Sequence, residues 1–378
     1  MDKSVVEAPI VISFLQHESI GVDHVDIRDR ADHLATNARL TVYWDGDVPV
    51  AQAYYDEQVP DQFGTPETLP PDPQGSVSVV ICTRDRPDEL ARCLASLPQQ
   101  TLVPDEIIVV DNASVTDETR QVAQAAGVRY VREDRPGLDI ARNTGAKSAT
   151  GDFVAYTDDD VILTPNWLRR LTGAMDTDDI WGTTGLVLPA ELVTPAQLHF
   201  ERQWGFGRGF SKIDFGPEFV QRHDRFGIPA WDVGAGASMA FRRAIFDKIG
   251  FFDERLDVGA AGCSGDSEMW HRILHAGGTC RYTPTSVAFH YHRRAEEGLR
   301  KQLRAYMSGH VAALLVQNER SGRRANLRRL YLSLPIHYLR ETLRKRREDE
   351  PSRYLKEQVL GCIDGWKFYR NAPRPDEC

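Results

Sequence analysis

"VSVVICTRDRPDELARCLASL", residues 77–97, joins an apolar run to a helical pattern across a short polar turn. A near-continuous apolar run is what a strand covered on both faces looks like. Pro87 suits a first helical turn, and Asp88 and Glu89 sit favourably at that end of the helix dipole. Leu90, Cys93, Leu94 and Leu97 then recur at the spacing of one helix face. The stretch predicts a strand, a turn and a helix, a unit that needs further units to cover it.

They follow in order. "EIIVV" (106–110) predicts a second strand ending at Asp111. Ser114 with Asp117 resembles a capping box, and Gly127 closes the helix after it. "VRYV" (128–131) predicts a third strand, residues 139–149 a helix, and "FVAYT" (153–157) a fourth strand. Alternation of this kind gives an α/β fold, helices packed on a mostly parallel sheet. Ligands of such sheets collect beyond the carboxyl ends of the strands. Those ends carry "TRDRP", "DNAS", "REDRPG" and "DDD".

The last of these, in "AYTDDDVI", sets Asp158, Asp159 and Asp160 side by side. Adjacent carboxylates repel, and ionised Asp is rarely held near a core without a partner. A polar turn is one reading. A divalent cation is the other, since its charge relieves the repulsion and hard cations take oxygen ligands. The gathering of polar residues at four strand ends favours the cation.

Before this region, residues 1–60 show β-like runs, "PIVISFL" (9–15) and "ARLTVYW" (38–44), with "DGD" (45–47) as a turn. "PDQFGTPETLPPDPQG" (60–75) has a linker composition. After Arg294 long helical stretches predominate, with Leu327, Leu330, Tyr331, Leu334, Tyr338, Leu339 and Leu343 interleaved with arginines and Pro335 as a predicted kink. The expected organisation is a β-rich segment (1–73), a catalytic domain (74–295) and a helical, partly basic extension (296–378).

Composition bounds the function. The chain has 378 residues, 41% hydrophobic and 27% charged, ordinary values for a globular protein. No apolar run approaches the roughly 18 residues of a membrane span, and the start lacks the pattern of a signal peptide. Six scattered cysteines with no CxxC pair argue against a zinc cluster or a disulfide scaffold and fit a reducing cytoplasm. The net charge of −9 makes nucleic acid an unsuitable partner. Residues 320–347, however, hold ten Lys/Arg against Glu341 alone. Such a segment either lies on an anionic membrane or packs on the domain with a solvated basic face.

"SVSVVICTRDRPDELARCLASL" (76–97), "EIIVVDNAS" (106–114), "GLDIARNTGAKSATGDFVAYTDDD" (137–160), "GAGASMAFRR" (234–243) and "GDSEMWHRIL" (265–274) together resemble bacterial family 2 glycosyltransferases. The resemblance runs from about Ser76 to about Arg294. It implies the glycosyltransferase-A fold, Mn²⁺ or Mg²⁺ as cofactor, and transfer with inversion from a nucleotide-diphosphate sugar to a hydroxyl acceptor.

Residue by residue, it makes Asp158 and Asp160 the outer members of an Asp-x-Asp motif, the first toward ribose or metal-bound water and the second toward the metal. Asp159 keeps a supporting role. Thr83, Arg84 and Arg86 would line the nucleotide, together with Asn112, Gly137, Arg142 and Asn143. Asp111 would accept from the base, which favours a UDP-sugar. Asp266 would be the general base, with Glu268, Gly236, Ala237, Ser238 and Trp204 on the acceptor side. Trp204 either stacks on sugar or fills the core. Gly265 departs from the family pattern, which usually has Glu there. His290 and His292 alternate on a predicted strand, so only one can join Asp160, and the resemblance favours His290.

Two rivals stand beside this reading. A nucleotidyltransferase would ordinarily show a Gly-rich phosphate loop, which "TRDRP" is not. A degenerate glycosyltransferase acting as a membrane-surface binding protein gains support from Gly265 and loses it from the retained carboxylates.

Overall fold

The computed structural model describes residues 15–16, 23–27, 40–54, 64, 67–345 and 354–372. Four short strands, β1 (Leu15–Gln16), β2 (Asp23–Ile27), β3 (Leu40–Asp45) and β4 (Val48–Tyr54), form an antiparallel sheet. Gly46, at φ +60°, makes the β3–β4 turn read from "DGD". Of "PIVISFL" only Leu15 is among the described residues. Leu40, Val42 and Trp44 join the main core, and Asp47 is bound by the buried Arg170 at 2.7 Å. The sheet is therefore packed on the domain rather than tethered to it.

The main sheet is built from β5 (Val77–Thr83), α1 (Pro87–Ser96), β6 (Glu106–Asn112), α2 (Glu118–Ala125), β7 (Arg129–Glu133), α3 (Leu138–Ser148) and β8 (Phe153–Asp158). It continues through β9 (Val161–Leu163), α4 (Trp167–Gly173), β10 (Ile180–Pro189), α5 (Pro195–Trp204), β11 (Ile213–Phe215) and α6 (Pro217–His223). It closes with β12 (Ser238–Arg242), α7 (Ala244–Ile249), α8 (Gly265–His275) and β13 (Thr279–His290). The strand order is β11-β13-β10-β12-β8-β5-β6-β7, with β9 paired to β13.

Pairing is parallel from β7 to β8 and again between β10 and β13, and antiparallel at β8–β12, β10–β12, β11–β13 and β9–β13. The sheet is thus mixed, parallel only in the half that the strand–helix alternation announced. Val77, Val79 and Ile81 face Leu90, Cys93 and Leu94 of α1. Val80 and Cys82 face Ala141 and Ala146 of α3. Both faces of β5 are covered, as its unbroken apolar run required. Gly145 lets α3 approach that face, since a Cβ there would stand 2.4 Å from Val80.

The extension folds as α9 (Glu296–Ser321), α10 (Ala325–Arg328), a π turn at Arg329–Ser333, α11 (Leu334–Lys345) and α12 (Leu355–Asn371). Pro335 does not divide the helix. The wider turn just before it accommodates the missing N–H and the ring.

Candidate active site

The carboxyl ends of β5, β6 and β8 open into a cleft of about 2200 Å³. Parallel pairing sets Asp158 against Cys82 of β5. Asp159 turns inward, where Thr83 Oγ1 donates to one carboxylate oxygen at 2.7 Å and Arg86 Nη1 to the other at 2.9 Å. The same Nη1 donates to Asp160 at 2.9 Å. The β9–β13 pairing delivers His290, whose Nε2 lies 3.2 Å from the other oxygen of Asp160. Asp158, Asp160 and His290 each present a ligand atom, all within 4.8 Å of one another.

Burial, reinforced by the neighbouring charge of Asp160, holds the carboxyls of Asp158 and Asp159 above their ordinary range. Asp160 is pulled the other way: burial opposes its ionisation, but His290 and Arg86 overcome it. His290 is raised in turn, because the charge of Asp160 outweighs burial. Two carboxylates and an imidazole fit Mn²⁺ or Mg²⁺, and the buried negative charge left on Asp158 and Asp159 is what a cation would satisfy.

His290 and His292 do not face opposite ways, contrary to the strand alternation. β13 ends at His290, and the two Nδ1 atoms stand 2.9 Å apart. His292 is instead bound to Glu201 at 2.9 Å. Only His290 reaches Asp160.

Asp266 is the second residue of α8 and lines the same cleft. Its Oδ2 accepts from Gly236 N–H at 2.8 Å and its Oδ1 from Ser267 N–H at 2.6 Å. Burial raises its pKa, reinforced by Asp257 and opposed by Arg142. Desolvation therefore outweighs Arg142 and the two N–H bonds here, which makes the carboxylate a stronger proton acceptor. Gly236 has to be glycine, as a Cβ would stand 2.9 Å from Asp266 and 2.8 Å from Arg142. Gly265 is also explained. A Cβ there would lie 1.9 Å from Asp139, whose buried carboxyl occupies the space a side chain at 265 would need.

Arg84, Asn112, Gly137, Ala237 and Trp204 line the cleft as well. Asn112 ties down the 135–137 turn, donating to Arg135 O and accepting from Gly137 N–H, both at 2.8 Å. Trp204 packs against Tyr306 on the far wall. Arg142 reaches the cleft, with its Nη1 held by Asp139 at 3.0 Å and Asp257 at 2.7 Å.

Four of the expected site residues do not line the cleft. Glu268 is fully buried and clasped by Arg272 Nε at 2.9 and 2.8 Å, on the side of α8 away from the cleft. Asn143 clamps Phe252, donating to its carbonyl at 3.0 Å and accepting from its N–H at 2.8 Å. Ser238 is buried in β12 and accepts from Trp167 Nε1. Asp111 is 1% exposed, its oxygens engaged by Ser114 N–H, Tyr130 OH and Arg132. The predicted capping box fails with it: Ser114 Oγ accepts from Asp85 N–H, and Asp117 caps α2 without a side-chain bond.

Sequence reading missed Asp139 and Asp257, the partners of Arg142. Asp257 lies in the loop between α7 and α8, and no local pattern ties it to a residue so distant in the chain.

Residues 78–250 match the family model described as Glycosyl transferase family 2. Among curated proteins, the chain is 30% identical over 179 residues to the uncharacterized glycosyltransferase YwdF of Bacillus subtilis, covering 47% of this chain and 62% of that one. It is 28% identical over 209 residues to the O-antigen biosynthesis protein RfbC of Myxococcus xanthus, covering 53% of this chain and 16% of that one. The chain thus spans less than two thirds of either relative. Among solved structures, the mannosyltransferase PcManGT of Pyrobaculum calidifontis, in complex with GDP-Man and Mn²⁺, aligns with a TM-score of 0.52 at 17% identity, covering 81% of this chain and 91% of that one. That likeness establishes the glycosyltransferase-A fold.

Proposed function

We propose that this protein is a divalent-metal-dependent, inverting glycosyltransferase that moves a sugar from a nucleotide diphosphate to a hydroxyl of its acceptor. The observation that carries the reading is the convergence of Asp158, Asp160 and His290 in one cleft with Asp266. The family match of residues 78–250 and the metal and nucleotide-sugar named for PcManGT support it.

Asp158, Asp160 and His290 would hold Mn²⁺ or Mg²⁺, which when bound supplies Lewis-acid neutralisation of the departing diphosphate. The protein's own groups do the rest. Arg86 and Arg84, at the end of β5, lie where phosphate oxygens would be met, and guanidinium suits them. Asp266 accepts the proton of the attacking hydroxyl as the new bond to the anomeric carbon forms. The bond from that carbon to the phosphate oxygen breaks on the opposite face, and its electron pair leaves with the diphosphate. Gly236 N–H keeps Asp266 aimed. The preference for uracil loses its argument, because the oxygens of Asp111 are already engaged.

The test is a panel of UDP-, dTDP- and GDP-sugars scored by metal-dependent thermal stabilisation, because a ligand that binds only the folded state raises its melting point. One donor should stabilise the protein with Mn²⁺ and fail to do so in the Asp160→Ala variant, whose own melting point stays near the parent's. Unchanged Mn²⁺-dependent nucleotide binding in Asp160→Ala would defeat the assignment.

A further inference from the structure

Two helices of the extension turn apolar side chains away from the protein. On α11 and the π turn before it, Leu332, Ile336, Leu339 and Leu343 fall at helical spacing, and Leu339 is 59% exposed. On α12, Val359, Ile363 and Trp366 do the same, with Ile363 45% exposed. The opposite faces are spoken for. Leu330 and Leu334 pack on Val311, Leu314 and Leu315 of α9, as do Cys362 and Tyr369 of α12. Gly361 and Gly365 bring α12 against the α9 backbone. The two helices meet where Cys362 touches Tyr338. Stripes of this kind on adjacent elements mark a surface made for a partner.

Charge identifies the partner. Lys356, Lys367 and Arg370 flank the α12 stripe and are exposed, and Arg370 stacks on Trp366. Arg340 is exposed beside Leu339. The acids of α12 are turned inward: Glu357 is paired with Arg300 at 2.8 Å and Asp364 with Arg304 at 2.5 Å. Cations around an apolar stripe containing Trp are the makeup of a helix lying in an anionic membrane interface. A two-fold pairing with a second copy would instead bring like charges together. No helix among the described residues is long and apolar enough to cross a membrane, so the contact is one of surface.

We infer that the outward faces of α11 and α12 dock the protein on an anionic lipid bilayer. Within the basic segment 320–347, the part before α11 is turned to the protein itself. Arg320 and Arg323 are paired with Asp253 and Asp224, and Arg329 donates to the carbonyls of Phe226 and Gly227. The same two helices also wall the cleft through His337, Tyr338 and Gln358. Docking therefore sets the cleft beside the headgroups and, resting on the glycosyltransferase reading, points to an acceptor carried by a lipid.

Flotation of the full chain with vesicles tests the docking without any donor or acceptor, so its failure would leave the transferase reading standing. The protein should partition onto phosphatidylglycerol-containing vesicles, less so at high salt, and little onto phosphatidylcholine alone. Leu339→Asp with Ile363→Asp should weaken partition roughly tenfold or more, since each removes a buried apolar side chain. Both positions are exposed, so the melting point should not change. Lys367→Glu with Arg370→Glu should weaken it without touching the apolar stripe. Absent partition, equal partition onto neutral vesicles, or partition indifferent to these substitutions would overturn the inference. So would a dimer in sedimentation that the same substitutions abolish.

Discussion

Two clusters of acids and cations lie on opposite sides of α8, and they are balanced differently. At the strand ends Asp158, Asp159 and Asp160 face Arg86 and His290. Behind α8, Asp253 and Glu268 face Arg255, Arg272 and Arg320. The first cluster is short of positive charge, and burial leaves Asp158 and Asp159 with raised pKa values. In the second the charges match, since Glu319 also binds Arg255 at 3.1 Å, and despite burial Arg255 and Arg320 hold Asp253 well below the usual range. A buried cluster short of cations is a site that awaits one, whereas a saturated cluster is a fastener. Substitutions should separate the two roles.

The largest effect should come from the cleft. Asp266→Asn keeps the shape but cannot take a proton, so transfer should fall roughly a hundredfold or more, the scale for losing a positioned general base. One of the two N–H groups it now binds would meet the amide NH₂, a modest stability cost. Donor and metal affinity should be unaffected. Transfer at near the parent rate would sink the assignment, and Glu268 is no substitute, since its carboxylate is sealed by Arg272.

The fastener should give the reverse. Arg272 donates to Glu268 and to the carbonyls of Ile249, Gly250 and Phe251. Arg272→Met leaves Glu268 buried with Arg320, at 3.6 Å, as its remaining cation partner among the described residues. Removing one partner of a buried pair costs roughly 3–5 kcal/mol. Denaturant unfolding should show that loss, while the folded enzyme binds donor and metal as before. An unchanged unfolding midpoint would show that the cluster holds nothing.

The contrast also explains what the sequence disclosed. Strand–helix alternation and the polar strand ends were legible because period and position are local properties. Asp158, Asp160 and Asp266 were singled out on that basis and on the resemblance, and they line one cleft. Glu268 was misread although geometry argued against it: two residues along a helix is about 200°, so 266 and 268 cannot share a face. Asn143, one step from Arg142, is likewise rotated off the cleft. Asp111 could be judged only once Tyr130 and Arg132 of β7 were placed beside it. Asp139, one helical turn before Arg142, stood at a spacing that can be read locally, whereas Asp257 left no local signal, because what it does depends on Arg142 being brought to it.

The smallest expected effect is a pH dependence of the fastener. Arg255 binds Asp253 at 2.9 and 2.8 Å, and Arg320 adds a contact at 2.8 Å that ties α9 to the catalytic domain. A carboxyl whose folded pKa is depressed contributes stability that is fully present above its unfolded value, near 3.9, and is lost as pH falls toward the folded one. The parent should therefore lose stability as the pH drops below about 4. Asp253→Asn should be weaker at neutral pH by roughly 1–3 kcal/mol, the worth of hydrogen bonds to a charged group. Its stability should decline less on acidification, so the two curves converge at low pH. Asp266 supplies the control within the same chain. Its pKa is raised, so Asp266→Asn should not flatten the acid limb of stability. Parallel curves for the parent and Asp253→Asn, from neutral pH down to pH about 3, would show that Asp253 is no better compensated than the acids of the cleft.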